Sequence, residues 1–167
     1  RSVPWEGRVP LAHWPGVDHG EEWELIGPSP IAHSSKSAVP REMTHTDIGI
    51  VLEAWGEAAR RANEAGFEVL ELHGGHGYLI HQFLSPTANR RTDEYGGSLE
   101  KRLRFAVEVA RRVRRSWPEE KPLFFRISAV DESGWTIGDS VVLARALKEN
   151  GVDVVDCSSG GMSESVG

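Results

Sequence analysis

The chain has 167 residues, 39% of them hydrophobic and 26% charged, with a formal net charge of −6. That profile fits one globular domain or a portion of a larger one, and its acidic balance excludes the basic face a nucleic-acid partner needs. No run of 18 apolar residues reads as a membrane span, and no charged-then-apolar stretch reads as a signal peptide. The single cysteine, Cys157, excludes an internal disulfide framework and leads us to expect a reducing, cytoplasmic setting.

Residues 1–43 carry six prolines and no sustained period. They are expected to form a long irregular segment, packed down by Trp5, Trp14 and Trp23. From Thr44 the pattern turns helical. Thr44 and Asp47 have capping-box spacing, and apolar residues recur at Ile48, Val51, Leu52, Trp55, Ala58, Ala59 and Ala62 until Gly66 closes the helix. The strand "FEVLEL" (67–72) follows, then "LELHGGHGYLIHQFLSP" (70–86), an apolar run that ends in histidines, glycines and a tyrosine. Ser98 caps a second helix that stops before Pro118. It contains the basic cluster "RRVRR" (111–115), expected to be a solvated face. "PLFFRIS" (122–128) reads as a strand, "SVVLARALKEN" (140–150) as a helix and "VDVVDCSS" (152–159) as the last strand.

Alternation of helix and strand means a parallel sheet built from right-handed crossovers. The long segments after the strands favour a (β/α)₈ barrel over a doubly wound sheet. Three strands cannot close a barrel, so the chain is expected to be part of one. Its two open edges, 67–72 and 152–159, invite association, and a homo-oligomer or aggregate is expected of the isolated piece.

Side chains alternate along a strand. Val69, Glu71 and His73 therefore share one face, as do Phe124, Arg126 and Ser128, and Val154, Asp156 and Ser158. All three strands become polar toward the same end, where a parallel sheet is normally apolar. Two readings stand side by side. Glu71, Arg126 and Asp156 form an ion network, or they line a polar site at a barrel mouth with Arg126 open to an anionic ligand. His73 and His76 admit several roles. With Gly74, Gly75 and Gly77 bending the backbone, both imidazoles can converge on a carbonyl oxygen that gains charge, and Tyr78 can deliver a proton. Alternatively, they ligate a metal, the glycine loop holds a phosphate, or the stretch is a turn with no chemistry. His13, His19, His33 and His45 read as surface residues, and Cys157 as a small core residue.

"ELHGGHGYLIHQFLSPTANRRTDEYGGSLEKRLRF" (71–105), with "VPREMTHTDI", "ARRANEAGF", "PLFFRIS" and "GVDVVDCSSGG" in order, resembles the Old Yellow Enzyme family of FMN-dependent NAD(P)H oxidoreductases, in its bacterial ene-reductase and xenobiotic-reductase branch. Gly75 and His81 depart from that pattern, where alanine and asparagine are frequent. The resemblance implies a single FMN-binding barrel domain of which residues 1–167 are the central portion, about helix 3 through strand 6. It implies reduction of an activated alkene such as an enone. Hydride would come from the flavin N5, and NAD(P)H would reduce the flavin. His73 and His76 would bind the substrate carbonyl, Tyr78 would donate the proton, and Arg126, with His73, would face the cofactor. Loops outside this chain would supply the phosphate site, so residues 1–167 alone are expected to bind FMN weakly or not at all. Two other readings compete: an inert truncated barrel, and a metal-dependent barrel hydrolase built on His73 and His76.

Overall fold

The computed structural model describes residues 24–34 and 37–162; Trp5, Trp14, Trp23, His13 and His19 lie outside them. Two short strands, β1 (Ile26–Gly27) and β2 (Arg41–Glu42), pair in parallel inside the segment expected to be irregular. Helix α1 (His45–Glu64) follows, then β3 (Leu70–Gly74), α2 (Leu79–Leu84), α3 (Leu99–Ser116), β4 (Leu123–Ser128), α4 (Ile137–Glu149) and β5 (Val154–Ser158). Strands β3, β4 and β5 form a parallel sheet in that order, with β4 central.

The helix starts are written in side chains. Thr44 and Asp47 close the expected capping box on α1, and the Ser98 hydroxyl accepts the Lys101 N–H at the start of α3. Helix α4 begins three residues earlier than its apolar period suggests. Thr136 and Asp139 form a second capping box there, whose Thr-x-x-Asp spacing was present in the sequence. Helix α2 was not expected at all. It is six residues long, too short for a period to show, and is held by burial of Ile80, His81, Phe83 and Leu84.

Strand β3 starts later than expected and runs through His73 to Gly74. Residues 67–69 form a connection instead, in which the Lys121 ammonium binds the Phe67 carbonyl. Likewise β5 is trimmed to Val154–Ser158, and at its start the Val152 N–H still bonds back to Leu147 of the preceding helix.

Register divides the sheet into two unlike faces. Leu72 lies beside Phe125, and Gly74 beside Ile127. Leu72, Leu123, Phe125 and Ile127 are buried in one cluster with Phe83, Phe105, Ala106, Val109 and Val113 from the helices. At Gly74 a Cβ would lie 2.3 Å from the Phe125 ring, so only glycine lets that ring sit against the strand. The opposite face sets His73 beside Arg126 and Arg126 beside Asp156. Glu71 shares this face but lies one layer lower, beside Phe124, and its side chain is exposed. Of the two readings, the three-way ion network reduces to one pair among the described residues, Arg126 with Asp156.

Two other expectations fail for physical reasons. Cys157 faces the helix side of edge strand β5, but no described residue covers it and it is exposed. Within "RRVRR", Arg114 is not solvated, with its side chain only 17% exposed. Its guanidinium donates to the carbonyls of Trp117, Lys121 and Gly151 and pairs with Asp153 at 3.2 Å. It joins the end of α3 to the starts of β4 and β5.

The second half of the long motif is scaffold. Asn89 donates to the carbonyls of Phe83 and Tyr95. Arg91, with a side chain 4% exposed, reaches the carbonyls of Pro28 and Met43. Phe83 of α2 stacks on Phe105 of α3 at 4.2 Å between centroids, with both rings fully buried. Truncating Phe105 to alanine should cost about 3–5 kcal/mol by lost transfer and a residual cavity. Denaturant unfolding measures it, and a loss below about 1 kcal/mol would contradict the buried α2–α3 joint.

Candidate functional site

The polar face of the sheet ends in a cluster. His73, the fourth residue of β3, projects beside Arg126. Just beyond the strand, the His76 ring lies 5.1 Å from the His73 ring between centroids, and the Tyr78 ring meets His73 edge-on at 5.3 Å. The three residues expected to act together are brought together. Tyr78, the N-cap of α2, is 64% exposed, so its hydroxyl opens to whatever occupies the space above the sheet.

The path of the loop explains how two histidines three apart come to face one space. His76 has φ of 55°, an uncommon left-handed backbone for a residue with a Cβ. Such strain persists only where the surroundings over-determine it. Here they do. The His76 N–H donates to Ser128 Oγ at 3.0 Å, and the Ser128 hydroxyl donates onward to the Gly160 carbonyl at 2.8 Å. His76 Nε2 lies 2.7 Å from Ser158 Oγ.

Gly77 and Gly161 complete the fit, both at positive φ. A Cβ on Gly77 would lie 2.2 Å from the Gly161 carbonyl, and one on Gly161 would lie 2.4 Å from the His76 Cα. The loops after β3 and β5 thus touch backbone to backbone. Ser128 and Ser158 had been placed on this face, but their hold on His76 was not anticipated. Nothing in the local sequence signals a contact between a strand end and a loop so distant in the chain.

The electrostatics follow from burial and neighbours. Burial lowers the His73 pKa below its ordinary 6.5, and the nearby His76 ring and Arg126 charge lower it further. At neutral pH His73 is therefore a neutral ring with one N–H to donate. Its contribution to stability is present above pH 6.5, where folded and unfolded rings are both neutral. It is lost as pH falls through the folded pKa, because the unfolded chain takes up the proton first.

Among the described residues Arg126 pairs with Asp156 at 3.4 Å, and its buried Nε has no hydrogen-bond partner. An unpaired buried donor on a cation, at the end of a polar face, suits an electron-rich edge. That donor is the observation by which FMN fits this chain, since a flavin ring presents carbonyl and ring-nitrogen acceptors.

Metal ligation is less well served. Among the described residues the one cluster of three donors is His45, Asp93 and Glu94, at the start of α1. Among the described residues His73 and His76 belong to no such cluster. His45 is exposed, as expected, but it also approaches Asp93 and Glu94 at 3.4 and 3.2 Å. In an NMR titration the His73 ring should show a midpoint below 6.5, moving upward in Arg126→Met as a neighbouring charge is removed. A midpoint above 6.5 would contradict the burial and charge described here.

Residues 17–166 match the NADH:flavin oxidoreductase / NADH oxidase family. An NADPH dehydrogenase of Geobacillus sp. (strain WCH70) is 50% identical over 154 residues, covering 91% of this chain and 44% of that protein. The NADPH dehydrogenase of Bacillus subtilis (strain 168) is 48% identical, over 92% of this chain and 45% of its own. Among solved structures, 2-naphthoyl-CoA reductase in complex with 2-naphthoyl-CoA superposes with a TM-score of 0.80 at 31% identity, covering 86% of this chain and 22% of that one. The old yellow enzyme homologue from Zymomonas mobilis gives 0.73 at 26% identity, over 86% and 44%. This chain spans less than half the length of the dehydrogenases it matches, and its three parallel strands with their helices are an arc of a (β/α)₈ barrel. It belongs to the NADH:flavin oxidoreductase / NADH oxidase family.

Proposed function

We propose that the complete protein is an FMN-dependent NAD(P)H oxidoreductase that reduces activated alkenes such as enones. The observation that carries this reading is the convergence of His73, His76 and Tyr78 above the same sheet face that presents the orphaned Arg126 donor. The relatives named NADPH dehydrogenase support the reductant. Morphinone reductase in complex with tetrahydroNAD, a fold neighbour at a TM-score of 0.71 and 28% identity over 81% of this chain and 42% of its own, supports a nicotinamide ligand for such a barrel.

Arg126 would hold the cofactor, its buried Nε and guanidinium meeting an acceptor edge, with His73 beside it. Bound FMN would supply hydride chemistry, passing reducing equivalents from NAD(P)H to the alkene. The chain's own residues do the rest. His73, neutral at pH 7, donates an N–H to the substrate carbonyl and opposes charge build-up on that oxygen. His76 stands beside His73, 5.1 Å away between ring centroids. Its Nε2 is committed to Ser158, which leaves Nδ1 as its free ring nitrogen when Ser158 accepts or donates at Nε2. Tyr78 then delivers the proton to the carbon next to the carbonyl. Its exposure and its edge-on packing against His73 leave the hydroxyl oriented yet reachable.

Replacing Tyr78 by phenylalanine in the complete protein should slow enone reduction by about 10²-fold or more, the scale for a positioned general acid. Flavin reduction by NAD(P)H needs no such proton and should keep its rate. Stopped-flow absorbance separates the two half-reactions, and equal slowing of both would make Tyr78 structural. His73→Ala should weaken binding of enone or phenol ligands over the oxidised flavin, read as a rise in Kd.

A further inference from the structure

Behind the loop that carries His76 and Tyr78 lies a buried pair with no part in that chemistry. His81 is the third residue of α2, and Asp131 stands in the segment after β4. Neither side chain has any exposed surface, and His81 Nε2 lies 2.7 Å from Asp131 Oδ2. The contact is short but too bent for a well-formed hydrogen bond. The other ring nitrogen, Nδ1, accepts the Gly77 N–H at 3.0 Å. A nitrogen that accepts carries no proton, so the ring holds its proton on Nε2, toward the carboxylate.

Asp131 is well placed to keep it there. Its second oxygen accepts the Ser133 N–H at 2.6 Å. Burial pushes the Asp131 carboxyl up, but the contacts from His81 and Ser133 outweigh this and hold it below the usual carboxylate range. A buried carboxylate beside an imidazole is no source of net stability by itself, since an apolar pair of the same volume would serve a core as well. What distinguishes this one is its load. Gly77 is the residue between His76 and Tyr78. Its N–H is held by His81, and its carbonyl accepts Gln82 Nε2 at 2.7 Å. Both polar atoms of the hinge between the two ligand-facing side chains are thus anchored to α2.

We propose that His81 and Asp131 are a positioning pair: Asp131 fixes the tautomer of His81, whose Nδ1 fixes the Gly77 amide and with it the placement of Tyr78 relative to His76. The proposal rests on the reading in which His76 and Tyr78 meet the substrate.

The test uses the complete protein with His81→Leu, which removes the acceptor, and His81→Asn, whose side-chain oxygen can stand where Nδ1 stood. The first readout is amide hydrogen exchange at Gly77, which needs no flavin. It should rise about tenfold in His81→Leu, the scale of one lost hydrogen bond, and return toward wild type in His81→Asn. The second is the pair of half-reactions. Alkene reduction should fall about tenfold in the leucine variant and recover in the asparagine variant, while flavin reduction by NAD(P)H stays within about threefold. Should His81→Leu fail to fold, Asp131→Asn takes its place, with faster Gly77 exchange and slower alkene reduction expected. Unchanged Gly77 exchange, equal loss in both half-reactions, or no advantage of asparagine over leucine overturns the proposal. A wild-type protein that reduces no alkene instead overturns the functional reading, and Gly77 exchange still decides whether the pair holds the loop.

Discussion

The parallel register of β3, β4 and β5 is the constraint on which everything else hangs. Because side chains alternate, that register decides in one step which residues are buried and which converge. Leu72, Phe125 and Ile127 go to the helices, and His73, Arg126 and Asp156 go to the other side in a single row. A slip of one residue would bury Arg126 under α3 and expose Phe125. The apolar cluster built from Phe83, Phe105, Val109 and Val113 therefore guards the polar site, although no member of it faces that site. Stability and function are coupled through the pleat.

Above the strands, backbone contacts replace side-chain packing. The left-handed His76, the Ser128 hydroxyl between His76 N–H and Gly160 carbonyl, and the close meeting of Gly77 with Gly161 bind the ends of three strands into one rim. Each strand end gives the rim a polar side chain and a tight turn. Strain at His76 is tolerated because three neighbours hold it at once, through Ser128, Ser158 and the adjoining Gly77 amide on His81. On the proposed reading, in which both rings meet a substrate carbonyl, such fixing orients the donors before the ligand arrives.

Much of this was legible beforehand, and what was not has physical reasons. Helical period and caps located α1 and α3 almost to the residue, since Thr44 and Ser98 act within one turn. Period-two reasoning put His73, Arg126 and Asp156 on one face, because alternation is a property of the strand alone. Strand limits were less accurate. Phe67 looks like strand by composition, but a ladder begins only where the neighbouring strand has a partner to offer, at Leu123. The Glu71 member of the expected ion network failed for the same reason, as relative register between strands is a tertiary fact. His81 stands out in the sequence only as a departure from the family pattern, and nothing local marks Asp131. Their link depends on a loop folding back over α2, which no local pattern encodes. Arg114 shows the reverse case, an arginine in a basic run whose carbonyl partners include the turns that lead into two later strands.

The central claim is that the polar end of this sheet, and Arg126 in particular, receives the flavin. A crystal structure of the complete protein with FMN tests it most directly. The buried Nε or the guanidinium of Arg126 should then lie within hydrogen-bond distance of the flavin ring, with His73 alongside and the rings of His76 and Tyr78 bordering the open space above. A flavin bound elsewhere, with Arg126 still held only by Asp156, would contradict it.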